Sequence, residues 1–184
     1  MKIGEFLYFA PELAFADMDF REGELPDQYC RRIDGYYLAP AEYLIDEKHG
    51  FAAGLLVLCA IDALGKIDYP NLGVGERFKL YCQNRLPSFS TENYAKQLYE
   101  AFRNGVVHEA RAKDGAEISL ESDRTVELAP GGIRVNPAYL LNEVREALHG
   151  QMEGISANKE SLIAFKKYIL VQFSKELAGL RTDG

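Results

Sequence analysis

The sequence predicts a mainly α-helical bundle of five or six helices that carries a small inserted antiparallel β-meander. Apolar residues recur at steps of three and four over most of the chain, which is the spacing of one helix face. Residues 116–135 differ, because apolar and polar positions alternate there as they do in half-buried strands. The chain has 184 residues and 47% hydrophobic content, which suits one domain over residues 1–184 with a sizeable core.

For residues 1–24 we expect either irregular chain or an edge strand able to join the later meander. Apolar and aromatic side chains crowd the segment from Lys2 to Ala10, and Pro11 ends it. A helix begins at Pro26, since proline is favoured in a first turn, and Pro40 ends or kinks it.

Arginines and tyrosines are interleaved along this helix and its continuation. Aromatic rings beside cationic side chains can form a surface that binds single-stranded RNA. Half-buried tyrosines and solvent-facing arginines are the commoner reason for such a pattern, and we prefer this packing interpretation. The residues concerned are Arg31, Arg32, Tyr36, Tyr37 and Tyr43.

A helix over residues 51–67 forms the centre of the predicted bundle, because it is apolar nearly all round. Its longest apolar run, Phe51 to Ile61, is too short to span a membrane, so we expect a buried helix. Asp62 follows this run, and a buried carboxylate needs a partner. Arg103 and Lys66 are the candidates, and Asp62 either orients Arg103 or makes a plain structural ion pair, which we favour.

More helices are predicted on both sides of the meander, which occupies residues 116–135. A short helix runs from Glu76 to Asn84, and Ser90 or Thr91 caps the next one. Extra C-terminal helices fill residues 137–178, the first of them ending at the cap pair His149-Gly150. The last helix carries an apolar stripe wide enough for the core and a dimer contact, formed by Leu162, Ile163, Phe165, Ile169, Leu170, Phe173 and Leu177.

Composition limits the location and the partners of the chain. The three cysteines are odd in number and widely spaced, which favours a reducing compartment over a disulfide framework or a zinc site. The first residues lack a signal-peptide layout, so we expect a cytoplasmic protein with no membrane segment. The net charge of −7 counts against nucleic-acid binding unless a local basic groove exists, and it equally suits a basic protein partner.

One stretch combines the groups that phosphodiester cleavage at an RNA 2′-hydroxyl requires. Arg103 can stabilise charge on a phosphate, His108 can move a proton near neutral pH, and Asn104 can orient either. On an ideal helix Arg103 and His108 lie about 140° apart and about 7.5 Å along the axis. The long stem of Arg103 and a kink at Gly105 can together bring the two side-chain ends to one pocket. The reaction needs two proton transfers, and a two-fold dimer supplies the second imidazole without a metal.

Arg103-Asn104-x-x-x-His108 resembles the Arg-polar-x-x-x-His signature of the HEPN superfamily, the higher-eukaryote and prokaryote nucleotide-binding domains. The resemblance extends over residues 25–110 and implies a HEPN-like helical bundle that forms a homodimer. It also implies an endoribonuclease that needs neither metal nor cofactor and serves a toxin, phage-defence or RNA-processing system. Arg103 and His108 are then the cleavage pair, Asn104 supports them, and Asp62 and Glu109 are candidate binding residues beside Arg103.

Two other functions fit the same residues. The chain is alternatively a non-catalytic helical dimerisation module that binds a nucleotide or a protein, for example a basic or antitoxin partner. A plain structural dimer is also possible, in which Arg103 pairs with Glu100, Asp62 or Glu109 and His108 only caps a helix end.

Overall fold

The computed structural model describes residues 1–105 and 115–179, with only the backbone of Glu92 and Asn104. It confirms the mainly α-helical fold with a small inserted sheet. The described residues form two compact units, one from Met1–Tyr36 together with the chain from Leu148 onward, and the other from Tyr37–Ala147. That residues 1–184 fold as one domain stays a prediction.

The helices lie close to where the periodicity predicts them. The described part of the chain contains α1 Leu25–Ile33, α2 Ala39–Asp46, α3 Gly50–Asp68, α4 Val74–Arg85, α5 Glu92–Gln97, α6 Pro137–Ser156, α7 Lys159–Gln172 and α8 Ser174–Gly179. Two π-helical segments follow helices directly, Asp34–Leu38 after α1 and Leu98–Asn104 after α5. Short 3-10 turns complete the helical structure at Phe15–Asp17, Glu22–Glu24 and Pro87–Phe89.

The first unit begins with a sheet of its own. Strands β1 Lys2–Ile3, β2 Phe6–Ala10 and β3 Leu13–Ala14 are antiparallel in the order β1-β2-β3. The predicted N-terminal strand is therefore confirmed, but the expectation that it joins the meander is wrong. The reason is local: Gly4 takes φ +58° and Glu12 takes φ +62° in tight turns, which pair each strand with its immediate neighbour.

Aromatic side chains hold this unit together around Arg32. The Arg32 guanidinium carbon lies 4.7 Å from the ring centroid of Phe173, 5.1 Å from Phe9 and 5.4 Å from Tyr36. Arg32 also donates a hydrogen bond to the backbone carbonyl of Phe9. The packing interpretation is confirmed for Arg32 and Tyr36, because the guanidinium covers rings of its own unit.

Helix α3 is the centre of the second unit, and nine of its residues are buried. Of the helices in residues 1–105 and 115–179, it is the one long and apolar enough to cross a membrane by length and composition. Half of its most apolar window of 18 residues is buried within the protein.

The predicted meander forms a mixed sheet of three strands. Strands β4 Glu117–Ile118, β5 Val126–Ala129 and β6 Gly132–Val135 lie in the order β4-β6-β5. A two-residue turn, in which Gly131 has φ +94°, makes β5 and β6 antiparallel, as predicted. Strand β4 runs parallel to β6, so the antiparallel prediction is wrong for this strand. No short turn joins β4 to β6, so chain connectivity does not fix its direction.

The predicted C-terminal helices are present with different ends. Helix α6 continues through His149-Gly150 to Ser156, so the predicted cap is wrong. Leu148, Gln151 and Met152 are buried on either side of Gly150, and their packing outweighs the cost of about 1 kcal/mol for a glycine inside a helix. The stripe on the last predicted helix is divided in the structure between buried Phe165, Ile169 and Phe173 and exposed Ile163 and Leu170.

Candidate functional site

Asp62 is the centre of an ionic cluster in the second unit. Its Oδ2 accepts hydrogen bonds from Arg103 Nη2 at 3.1 Å and from Arg103 Nε at 3.3 Å. Its Oδ1 accepts a hydrogen bond from Arg77 Nη2 at 3.4 Å. The carboxylate has 20% of its side-chain surface exposed, so it is partly removed from water. The predicted ion pair between Asp62 and Arg103 is confirmed, and a second arginine shares the carboxylate.

A π-helical segment presents Arg103 to Asp62. The segment Leu98–Asn104 continues α5 with wider turns, and such local widening of a helix is frequent at functional sites. Arg103 lies near its end with 22% of the side chain exposed. Nothing in the spacing of the sequence distinguishes this segment from a continued α-helix.

Tyr99, on the same segment, packs against the Arg103 guanidinium. The guanidinium carbon lies 5.9 Å from the centroid of the Tyr99 ring, within the range of a cation–π contact. The ring packs at 5.5 Å, centroid to centroid, on Phe78 of α4. It also lies so close to Gly75 that a Cβ there would be 2.9 Å from two ring atoms. Gly75 is thus required for the position of Tyr99.

Close packing between α3 and α4 brings Arg77 to the cluster. A Cβ on Gly65 would lie 3.2 Å from the backbone oxygen of Arg77, so the two helices touch without an intervening side chain. The sequence pattern did not single out Arg77. A signal for it exists, because the loop from Tyr69 to Gly73 is short and short loops join antiparallel neighbours. The first turn of α4 must then face the last turns of α3, which carry Asp62.

The electrostatic field of the cluster acts on the thiol of Cys59, one turn before Asp62. Burial raises the pKa of Cys59, the Asp62 carboxylate raises it further, and the Arg103 guanidinium partly offsets both by lowering it. The thiol is therefore protonated at neutral pH and is no nucleophile there.

The inserted sheet bears an acidic groove of about 910 Å³. Arg134 lies among its acids, with hydrogen bonds of 2.8 Å to Glu117 and 3.0 Å to Glu127. Ser119, Glu121 and Asp123 also line the groove. Because its carboxylates outnumber its one arginine, this groove repels phosphate, whereas the cluster at Asp62 presents two guanidinium groups to a single carboxylate.

The other predicted site residues are only partly covered by the structure. The backbone of Asn104 ends the π-helical segment, and its side chain is not described. His108 and Glu109 lie outside the described residues. The structure therefore brings Asp62 and Arg103 together and adds Arg77 and Tyr99 to them. Within the described ranges, no group of three or more His, Cys, Asp or Glu side chains is arranged to hold a metal ion.

Comparison with protein-family models, with curated proteins and with solved structures finds no match to this chain. The resemblance to the HEPN superfamily therefore depends on Arg103, Asn104 and His108 alone, and the function derived from it is a proposal.

Proposed function

We propose that this chain is a HEPN-type endoribonuclease that cleaves RNA without metal, as a homodimer in the cytoplasm. The observation that carries the proposal is the Arg103 guanidinium, which Asp62 holds by two hydrogen bonds while 22% of the side chain stays exposed. An arginine fixed in this way loses less conformational entropy when it meets a phosphate than a mobile one does.

The reaction assigned to this site is attack of the RNA 2′-oxygen on the adjacent phosphorus. The bond from phosphorus to the 5′-oxygen breaks, which leaves a 2′,3′-cyclic phosphate and a free 5′-hydroxyl. One imidazole takes the proton of the 2′-hydroxyl and the other gives a proton to the leaving oxygen, which assigns these steps to His108 and the partner's His108. Arg103 stabilises the charge that grows on the phosphate oxygens, and Asn104 orients the reacting groups.

Local charge makes an RNA substrate compatible with an acidic chain. The net charge is −7, but the described acids of the sheet groove lie on elements other than those that carry Arg77 and Arg103. Salt screens charges over about 8–10 Å, so a phosphodiester is attracted by the guanidinium groups that it contacts more than it is repelled by acids beyond that range.

The proposal is tested with purified protein, single-stranded RNA and an excess of chelator. We expect cleavage that ends in 2′,3′-cyclic phosphate, no cleavage of the matching 2′-deoxy strand, and no activity for His108→Ala. His149→Ala is the matched control, because His149 is an exposed histidine of α6, and it should cleave as the parent does. Cleavage that survives His108→Ala, or that requires added metal, would refute the mechanism.

A second candidate is a non-catalytic module that binds a nucleotide or a protein partner with a basic surface. The observation in its favour is that both Nε and Nη2 of Arg103 already donate to Asp62, as in a structural ion pair. This candidate predicts binding of nucleotide, RNA or partner with no turnover. The same cleavage assay with the same variants distinguishes the two functions.

A role as a toxin or in phage defence extends the first candidate. If RNA cleavage is harmful in the cell, expression should arrest growth, and the His108→Ala variant at an equal protein level should not. Arrest by both variants would assign the toxicity to something other than cleavage.

A further inference from the structure

We propose that Arg77 is a second phosphate-binding residue of the Arg103 site, and that the two guanidinium groups together hold one phosphodiester of single-stranded RNA. This inference rests on the proposed function, since it assigns a residue to the same site. Arg77 belongs to α4, outside the segment that resembles the HEPN signature, and only the fold brings it to Asp62.

The two arginines already share one anion with two equivalent oxygens. Arg77 contacts Oδ1 of Asp62, and Arg103 contacts Oδ2 of the same carboxylate. A phosphodiester likewise carries one negative charge over two non-bridging oxygens, so the pair of guanidinium groups that spans a carboxylate can also span a phosphodiester. Asp62 then lies on one side of the pair and holds both arginines, while the RNA phosphate takes the other.

Arg77 has donors to spare for this role. A guanidinium carries five N–H donors, and the described residues give Arg77 one hydrogen bond, which is long at 3.4 Å. Its Nε is buried and has no hydrogen-bond partner. A buried donor without a partner is costly. Since 16% of the Arg77 side chain is exposed, turning toward water would remove this cost, and the observed position of Arg77 retains it. The remaining Nη donors are those able to meet a phosphate oxygen.

A purely structural Arg77 is the competing explanation. In that case Arg77 only helps to neutralise Asp62, and its loss changes folding but not the contacts with RNA. The two explanations differ in the salt dependence of RNA binding, because each phosphate contact releases counterions and adds to the slope of affinity against salt. A structural ion pair inside the protein adds nothing to that slope.

The experiment measures binding of a fluorescein-labelled single-stranded RNA of mixed sequence by anisotropy over a series of salt concentrations. The protein carries His108→Ala to prevent turnover, with Arg77→Gln or Arg77→Lys added. Arg85→Gln is the matched control, because Arg85 is also an ion-paired arginine of α4, with its Nε 2.9 Å from Asp68. Thermal melting of every variant establishes that the protein compared is folded.

We expect Arg77→Gln to weaken binding roughly tenfold and to lower the salt slope by about 0.7, the contribution of one contact to a single strand. Arg77→Lys should keep the slope and lose part of the affinity, since it keeps the charge without the fork. If the glutamine variant does not fold, the lysine variant alone decides, because binding equal to the parent's would overturn the inference. An unchanged slope for folded Arg77→Gln, or an equal loss for Arg85→Gln, would overturn it too.

Failure of this inference can be distinguished from failure of the proposed endoribonuclease function. Absence of cleavage by the parent protein would refute the endoribonuclease, whereas the binding series tests the contact of Arg77 with RNA in a variant that cannot turn over. Cleavage by the parent together with an unchanged slope for Arg77→Gln would refute this inference alone.

Discussion

Arg32 and Arg103 are both partly buried arginines that rest on aromatic rings, yet the two units of the molecule surround them differently. Arg32 lies within 5.4 Å of three ring centroids and donates to a backbone carbonyl. Arg103 lies over one ring, at 5.9 Å, and shares Asp62 with a second arginine. The described contacts of Arg32 are thus with rings and a carbonyl, whereas Arg103 belongs to a cluster of charges.

The difference indicates which arginine is available for chemistry. Rings attract a cation through their quadrupoles and fill the space around it, so the role of Arg32 is in packing. A carboxylate fixes Arg103 from one side, and a guanidinium held in place is suited to transition-state stabilisation. The same residue type therefore serves structure in one unit and is a candidate for catalysis in the other.

The largest expected effect of this difference is on activity. Arg103→Gln should lower the rate of RNA cleavage by about 10²–10³-fold, the usual cost of one charge-stabilising group. It should also lower thermal stability, because Asp62 loses two of the hydrogen bonds that compensate its burial, so rates are compared at a temperature where the variant is folded. Arg145→Gln is a fair control, because Arg145 also pairs with a carboxylate, Glu42, at 2.9 Å. If the folded Arg103→Gln variant cleaves RNA as fast as the parent, Arg103 has a structural role, as Arg32 does.

The second effect is on stability. Arg32→Met should lower the free energy of unfolding by about 2 kcal/mol, because it removes a partly buried cation from three rings and leaves a carbonyl without its donor. Arg31→Met, on the exposed side of the same helix, should change it by less than about 0.5 kcal/mol. Urea denaturation measures both, and equal losses would deny Arg32 its role in the aromatic core.

The third effect tests whether Tyr99 positions Arg103. Gly75→Ala places a methyl group 2.9 Å from the Tyr99 ring, so we expect a loss of about 1–3 kcal/mol in stability and a lower cleavage rate. Gly73→Ala is the control, since a Cβ there meets nothing within 4 Å. If stability falls but the cleavage rate stays the same, Tyr99 does not position Arg103 for cleavage.

The smallest effect is on the chemistry of Cys59. Arg103 lowers the pKa of this thiol and Asp62 raises it, so Arg103→Gln should slow alkylation by iodoacetamide at pH 8 a few-fold and Asp62→Asn should accelerate it. Cys30 is an internal control, because burial and the acids near it raise its pKa to about 11 in the other unit. Peptide mass spectrometry follows both thiols, and faster alkylation of Cys59 in Arg103→Gln would contradict the assigned field.

The sequence predicted one feature of the candidate site and not another. The partner of Asp62 was predictable, because a carboxylate in an apolar helix requires a cation and Arg103 ends a neighbouring apolar pattern. The π-helical segment that presents Arg103 was not, because its residues are those of an ordinary helix and tertiary packing sets the wider turn. His108 and Glu109 lie outside the described residues, so their roles stay predictions.

The contact of Arg77 with Asp62 and the direction of strand β4 were not predicted. The short loop from Tyr69 to Gly73 indicates that α4 returns along α3, but it does not specify which side chains meet there. No short-range pattern sets the direction of β4 against β6 either. The same holds for Gly150, where helix α6 continues because its neighbours are buried.

The sequence by itself determined the helical class, the buried central helix and the need of Asp62 for a cation, because periodicity and the cost of burying charge act locally. Only the tertiary structure decided that a second arginine shares that carboxylate, that Tyr99 supports Arg103 and that Arg32 is enclosed by rings. Those outcomes depend on which helices touch and how closely, and the close contacts at Gly65 and Gly75 set that distance.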